Sequence, residues 1–213
     1  MRALLKRCSV SAVAAAVLLL AGCSQSTNSP ANGESGAAKS PAAPAQLVTA
    51  KTAFAPMYKA AIAWSGDVQL MHITPKDVPG FKNEAGKAAM WEATFASPSL
   101  HKLRVYTYAI TSVLPEIHKG AAAGLPRPWA GHTRDSMPID LALFSVDSDA
   151  AYQAASTDAA AWLAKNPGKA LSSLEIGSTY KFQAPVWYVQ WGDNKSGYVA
   201  LVDATSGNVY KKK

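Results

Sequence analysis

The sequence predicts an α+β fold in which helices pack on one face of an antiparallel sheet, arranged as two tandem units of a helix followed by strands. Three observations carry this. Residues 148–168, SDAAYQAASTDAAAWLAKNPG, place apolar side chains at helical spacing between a capping acid and a stop signal. AAMWEATFAS (88–97) alternates large and polar residues as a half-buried strand does, and VWYVQW (186–191) is dense in aromatic and β-branched residues. Setting Trp91 beside Trp187 also sets Phe95 beside Trp191, and each segment is followed about ten residues later by another strand rich in Tyr and Val, so one pattern occurs twice.

At the N-terminus, Arg2, Lys6 and Arg7 precede a run of Ala, Val and Leu from Val10 to Leu20, and Ala21 and Gly22 follow. This is the charged, apolar, small-residue order of a secretory leader. A spanning helix needs about 20 apolar residues, whereas this run is shorter and leads straight into the polar, helix-breaking SQSTNSPANGESG. Leu20-Ala21-Gly22-Cys23 resembles the lipobox of bacterial lipoproteins at all four positions. The resemblance implies removal of residues 1–22, a diacylglycerol thioether on Cys23 and acylation of the new N-terminus. Each buried CH₂ contributes about 0.8 kcal/mol, so two or three chains anchor the protein firmly where one would not. The partner this implies is membrane lipid, reached through acylated Cys23. Ser24, where Asp would retain such a protein at the inner membrane, implies the outer membrane facing the periplasm if the cell is Gram-negative.

Only two cysteines occur. Cys8 leaves with the leader and Cys23 is blocked by lipid, so the folded part is expected to hold no disulfide, thiol nucleophile or cysteine metal ligand. Loss of Arg2, Lys6 and Arg7 reduces the formal charge from +7 to +4, and Lys211, Lys212 and Lys213 supply three of those four. The body of the chain is near neutral, so the high pI is no argument for nucleic acid. The lysine tail reads as a solvated terminus, with contact to anionic lipid or envelope polymer as the alternative.

From Ser24 to Gln46 the chain is Ser, Ala, Pro, Asn and Gly with almost no large apolar residue, a composition that predicts a disordered tether. Its root-mean-square span is about 25–30 Å. The expected organisation is 1–22 leader, 23–46 lipidated cysteine and tether, 47–120 first half, 121–138 connection, and 139–213 second half. The connection is marked by the Gly- and Pro-rich GAAAGLPRPWAGHTRDSMP.

Within the first half, TAFAPMYKAAIAWSGD sets Met57, Ala61 and Trp64 on one helix face, with Pro56 expected in the first turn because an interior proline breaks a helix. AAMWEATFAS and LRVYTYAI are its strands. In the second half, one helix runs through Lys165 with Ser148 or Asp147 as cap and Asp149 at the positive end of the dipole. Tyr152, Ala155, Ala159, Trp162 and Leu163 form its apolar stripe, and VWYVQW and GYVALVD follow as strands.

YVALVDATSGNVY (198–210) closes the chain. Asp203 can accept from backbone N–H groups two and three residues on, Thr205 lies inside the turn, and Gly207 can take positive φ, so Asp-Ala-Thr-Ser-Gly turns the chain tightly. With APVWYVQWG upstream, this segment resembles a PepSY-like domain, whose ending typically reads Val-Asp-Ala, any residue, Thr-Gly, any residue, Val. Val202, Asp203, Ala204, Gly207 and Val209 match, while Ser206 stands where Thr is usual. The match covers roughly the last third, and the first half lacks the ending. The resemblance implies two tandem PepSY-like units, a regulatory or inhibitory role towards a peptidase, and no catalytic residues.

No catalytic, cofactor or metal motif is legible. His72, His101, His118 and His132 offer no helical i, i+4 pair and no HExxH, and His118, His132 and Asp135 form the one tertiary grouping worth testing as metal ligands. No serine lies in GxSxG. If the strand tryptophans face the helices, then Tyr188 and one register of Tyr106, Tyr108 and Tyr198 face the other way, as a candidate surface for an envelope protein partner. The alternatives are that the 121–138 connection covers this face or that it is simply amphipathic. A second functional class is a carrier that holds a small apolar ligand between sheet and helices, lined by Trp64, Trp162 and the strand tryptophans.

Overall fold

In the computed structural model, residues 46–211 are described. The leader, Cys23 and nearly all of the expected tether lie outside them. Helix α1 spans Ala50–Trp64 and is followed by strands β1 (Gln69–Lys76), β2 (Met90–Ser97), β3 (Lys102–Ala109), β4 (Gly120–Ala123) and β5 (Arg127–Pro128). A 3₁₀ turn at Leu141–Leu143 then leads into α2 (Ser148–Asp158), α3 (Ala160–Lys165), β6 (Leu171–Gly177), β7 (Val186–Trp191) and β8 (Tyr198–Asp203). All strand pairings are antiparallel and form one eight-stranded sheet of order β4-β3-β2-β1-β6-β7-β8, with β5 also on β3. The helices pack on one face, so the α+β class read from the sequence is the observed one.

Each half runs helix, then three strands that fold back in sequence, and the halves meet where β1 pairs with β6 (His72 with Gly177, Ile73 with Ile176). The repetition extends to irregularities. The β1–β2 ladder shifts register between Leu70 and His72, and the β6–β7 ladder between Leu171 and Ser173. In both, the shift begins at the pairing with the second aromatic, Leu70 with Phe95 and Leu171 with Trp191. Trp91 and Trp187 are both fully buried. Trp91 Nε1 donates to the Val48 carbonyl at 2.9 Å, and Trp187 Nε1 donates to the Val146 carbonyl at 3.0 Å. Val48 and Val146 each lie two residues before a helix begins, so each indole fixes a helix entry to the strands of its own half of the sheet. Burying an indole satisfies the hydrophobic effect only if its N–H finds an acceptor, and both do.

The two helix entries also meet. The N–H groups of the first turn of α1, where acceptors within the helix run out, all have partners. Ala50 N–H donates to Ser148 Oγ at 2.9 Å and Lys51 N–H to Asp147 Oδ1 at 3.0 Å. Thr52 N–H reaches Thr49 Oγ1 at 3.4 Å, and Ala53 N–H the Thr49 carbonyl at 3.1 Å. Asp147 Oδ1 also accepts from Ser148 N–H at 2.7 Å, so one carboxylate serves both helix starts. Gly86, at φ +77°, packs into the same junction: a Cβ there would lie 2.3 Å from the Ser148 carbonyl oxygen and 2.6 Å from Asp149 Cα.

Four expectations are corrected. Pro56 lies inside α1, seven residues in. The carbonyl that loses its donor belongs to Thr52, an exposed residue. The helix from 148 breaks at Ala159 into α2 and α3, after Ser156-Thr157-Asp158, a run of weak helix formers in which Thr157 Oγ1 bonds back to the Gln153 carbonyl. The segment 121–138 is more than a connection, because β4 and β5 extend the sheet from β3. Strands β1 and β6 fall in segments read from the sequence without structure. Among the described residues no helix is long and apolar enough to cross a membrane.

Asp147→Ala should remove a cap from both helices and lower unfolding free energy by about 2 kcal/mol, read from urea denaturation. Gly86→Ala should cost on the order of 2 kcal/mol or more, because positive φ and backbone contact act together.

Candidate functional site

Strand pairing assigns the sheet's two faces. Trp91, Ala93 and Phe95 stand opposite Tyr108, Tyr106 and Arg104, and Trp187 and Trp191 stand opposite Val202 and Tyr198. Directly opposed residues share a face, so all of these lie under the helices. Tyr106 is buried and meets Phe95 edge to face at 5.6 Å, Tyr108 packs against the core, and Tyr198 OH donates to Asp158 Oδ2 of α2 at 2.7 Å. Tyr188, opposite Glu175 and Leu201, is on the open face. The four tyrosines therefore do not form one surface, because three of them carry the phase of the buried tryptophans.

Three of the tryptophans expected to line an apolar ligand site on the helix side are engaged with the protein itself. Trp91 and Trp187 are fully buried and hydrogen-bonded, and Trp162 packs against Tyr198 at 5.9 Å.

On the open face a groove of about 490 Å³ lies across the junction of the halves, within the range of ligand pockets. Met71, Val186 and Leu201 supply apolar surface, His72, Glu175 and Tyr188 supply polar groups, and Lys181, Phe182, Asp135 and Ser136 form the rim. Its shape follows from one missing side chain. His72 stands directly opposite Gly177, so its imidazole leans to the diagonal neighbour, and Nε2 lies 2.9 Å from Glu175 Oε2. A Cβ on Gly177 would meet nothing within 4 Å. The hydrogen bond from His72 holds the Glu175 carboxyl below its ordinary range against the opposing effect of burial. Burial, and secondarily the Glu175 charge, raises the Tyr188 phenol, whose OH donates to Gln190 Oε1 at 2.8 Å. The rim is tied by Tyr180 N–H to the Arg134 carbonyl and Met137 N–H to the Ser178 carbonyl, both 2.9 Å. The Arg134 guanidinium lies 4.0 Å from the Tyr180 ring centre. The connection thus borders the open face at its 134–137 stretch.

Serine hydroxyls line this rim, yet among the described residues none bonds to His72, whose partner is Glu175. No three His, Cys, Asp or Glu side chains converge as metal ligands among the described residues; His132 instead packs against Trp129 at 5.2 Å.

The C-terminal turn performs a structural task. Asp203 Oδ1 accepts from Thr205 and Ser206 N–H, each at 2.8 Å, and Gly207 sits at φ +78°. Thr205 Oγ1 donates to the Leu143 carbonyl at 2.8 Å, while the Ala204 carbonyl accepts from Ser145 and Val146 N–H. The turn therefore secures the chain entering α2. Tyr210 OH donates to Asp203 Oδ2 at 2.6 Å.

Glu175 and its pairing with His72 escaped sequence reading because β1 and β6 did. The available signal was weak: QLMHITPK and LSSLEIG each place a polar residue between apolar ones at strand spacing.

No family model and no curated protein matches this chain. Among solved structures, a candidate lipoprotein from Clostridium difficile 630 superposes with a TM-score of 0.44 at 10% identity, over 75% of this chain and 90% of that one.

Partial burial and the bond to Asp203 push the Tyr210 phenol up to about 12 from the ordinary 10.0. The folded state thus keeps a proton that the unfolded state releases, so this contribution to stability is complete below the ordinary phenol range and is lost as pH rises towards the folded value. Tyr210→Phe should be less stable than the parent at neutral pH, with the gap closing at alkaline pH; denaturation midpoints across pH measure this.

Proposed function

We propose that this chain is a lipid-anchored cell-envelope protein whose folded part is a non-catalytic module that binds another protein through the groove on its open sheet face. The observation that carries the reading is Leu20-Ala21-Gly22-Cys23 closing a charged and apolar leader, followed by a tether-like stretch before the first helix. An acylated Cys23 holds the domain at a membrane without spanning it. In a Gram-negative cell, Ser24 directs it to the outer membrane, facing the periplasm. The PepSY-like ending supports a finer reading, in which the bound partner is an envelope peptidase that the module regulates.

The composition of the groove supports a recognition role. Its histidine is engaged by a carboxylate on the neighbouring strand, and its rim mixes Lys181 with Asp135 around apolar Phe182. Such a mixed rim about an apolar centre is the ordinary composition of a protein contact.

In cells fed an alkyne-bearing palmitate, the parent protein should acquire label and sediment with membranes, while Cys23→Ala should do neither. An unlabelled, soluble parent would overturn the anchor. The binding reading has its own test. Gly177→Leu places a side chain into open space, so thermal stability should hold while capture of an envelope partner by affinity purification falls about tenfold, as for loss of a central contact. Equal capture by both proteins would exclude the groove as the contact.

A further inference from the structure

Cations from three separated stretches of chain gather at one end of the domain. Arg134 comes from the segment between β5 and the 3₁₀ turn, Lys181 from the loop between β6 and β7, and Lys211 from beyond β8, with Lys212 and Lys213 next in sequence. Arg134, Lys181 and Lys211 are exposed. Aromatic rings fix their convergence. The Arg134 guanidinium lies 4.0 Å and Lys181 Nζ 6.0 Å from the centre of the Tyr180 ring. Tyr210 packs on Phe182 at 4.7 Å and donates its backbone N–H to the Leu201 carbonyl at 2.8 Å, so Lys211 leaves the sheet edge beside the 180–182 loop. Among the described residues none of these three cations is in an ion pair. The acids beside them are Asp135, next to Arg134 in sequence, and Asp203, whose oxygens are taken by the Thr205 and Ser206 N–H groups and the Tyr210 hydroxyl. The fold thus holds like charges together and leaves most of their field to solvent.

We propose that this end of the domain is a second membrane contact, which seats on anionic phospholipid headgroups of the bilayer that acylated Cys23 enters. The proposal rests on the anchored reading above and adds an orientation to it. A cluster of about four to eight basic residues near a membrane anchor is drawn to anionic lipid, each residue raising the partition about fivefold. The anchor confines the domain to the surface, so even a weak contact is populated through effective concentration. Tyr180 favours a bilayer over a soluble polyanion. Its ring is 49% exposed and carries the guanidinium on its face, and tyrosines settle at headgroup level with the ring at the apolar boundary and the hydroxyl in water. The groove on the open face shares Lys181 and Phe182 with this end. Seating therefore brings the groove to the membrane surface, where a membrane-held partner meets it.

Lysine acetylation read by mass spectrometry tests this on the full lipidated chain in vesicles of phosphatidylcholine, with or without phosphatidylglycerol. At about 0.1 M salt, Lys181 and Lys211 should react about tenfold more slowly in anionic than in neutral vesicles, and about 1 M salt should abolish the difference. Lys59 and Lys82, exposed on α1 and on the β1–β2 connection, should react equally in both and serve as internal references. Joint replacement of Lys211→Gln, Lys212→Gln and Lys213→Gln should return Lys181 to its neutral-vesicle rate. Joint replacement of Lys59→Gln, Lys82→Gln and Lys195→Gln removes the same charge elsewhere and should leave that protection in place. Flotation with neutral vesicles reports the acyl anchor by itself, and the anionic arm is read whether or not the anchor holds. Equal rates at Lys181 in both vesicles, equal protection of Lys59 and Lys82, or loss of protection in both triple variants would each overturn the proposal. So would release by soluble polyphosphate at the same phosphate concentration as the vesicles, which would assign the cluster to a free polyanion.

Discussion

The fold depends on two buried indole N–H bonds and on the helix junction they create. Trp91 and Trp187 each hold the backbone two residues before a helix, and this brings the starts of α1 and α2 together. Two helix N-termini in contact place like partial charges side by side and leave unpaired N–H groups in a poorly hydrated place. Asp147 resolves both problems: its negative charge offsets the two dipoles, and one oxygen accepts from both helices. Ser148 supplies the remaining acceptor from a fully buried position.

The same junction explains why two similar halves diverge. At equivalent positions before the helices stand Thr49 and Asp147, followed by Ala50 and Ser148. The second half contributes the acceptors and the first contributes the donors. The open face shows a comparable division, since the β1 position aligned with Glu175 by the shared register shift is Thr74, and that aligned with His72 is Ser173. Polar groups that meet at an axis have to differ if they are to pair.

Much of the fold was legible and most of the groove was not, for identifiable reasons. Strong aromatic alternation exposed β2 and β7, and the capping acid with Asn166-Pro167-Gly168 bounded the helical region after residue 147. The paired tryptophans signalled repetition because bulky buried residues tolerate little drift. Strands β1 and β6 contain a bulge, a proline or several serines, which blurs a period-two pattern over so few residues. His72 and Glu175 lie on those strands, so their meeting depends on a long-range register that local pattern does not encode. The tyrosines misled because face assignment requires the pairing phase. A shift of one residue moves a side chain through the sheet.

A chain in which one half caps the helix of the other resembles a fused dimer. The first half alone lacks acceptors for its helix start, and neither half alone has a covered strand at the β1–β6 seam, so separated fragments are expected to be poorly ordered singly and to recover native structure on mixing. The loop between Trp129 and Thr133, exposed over most of its length, is the natural place to divide them. Such a split would turn the internal symmetry of this molecule into a reassembling pair.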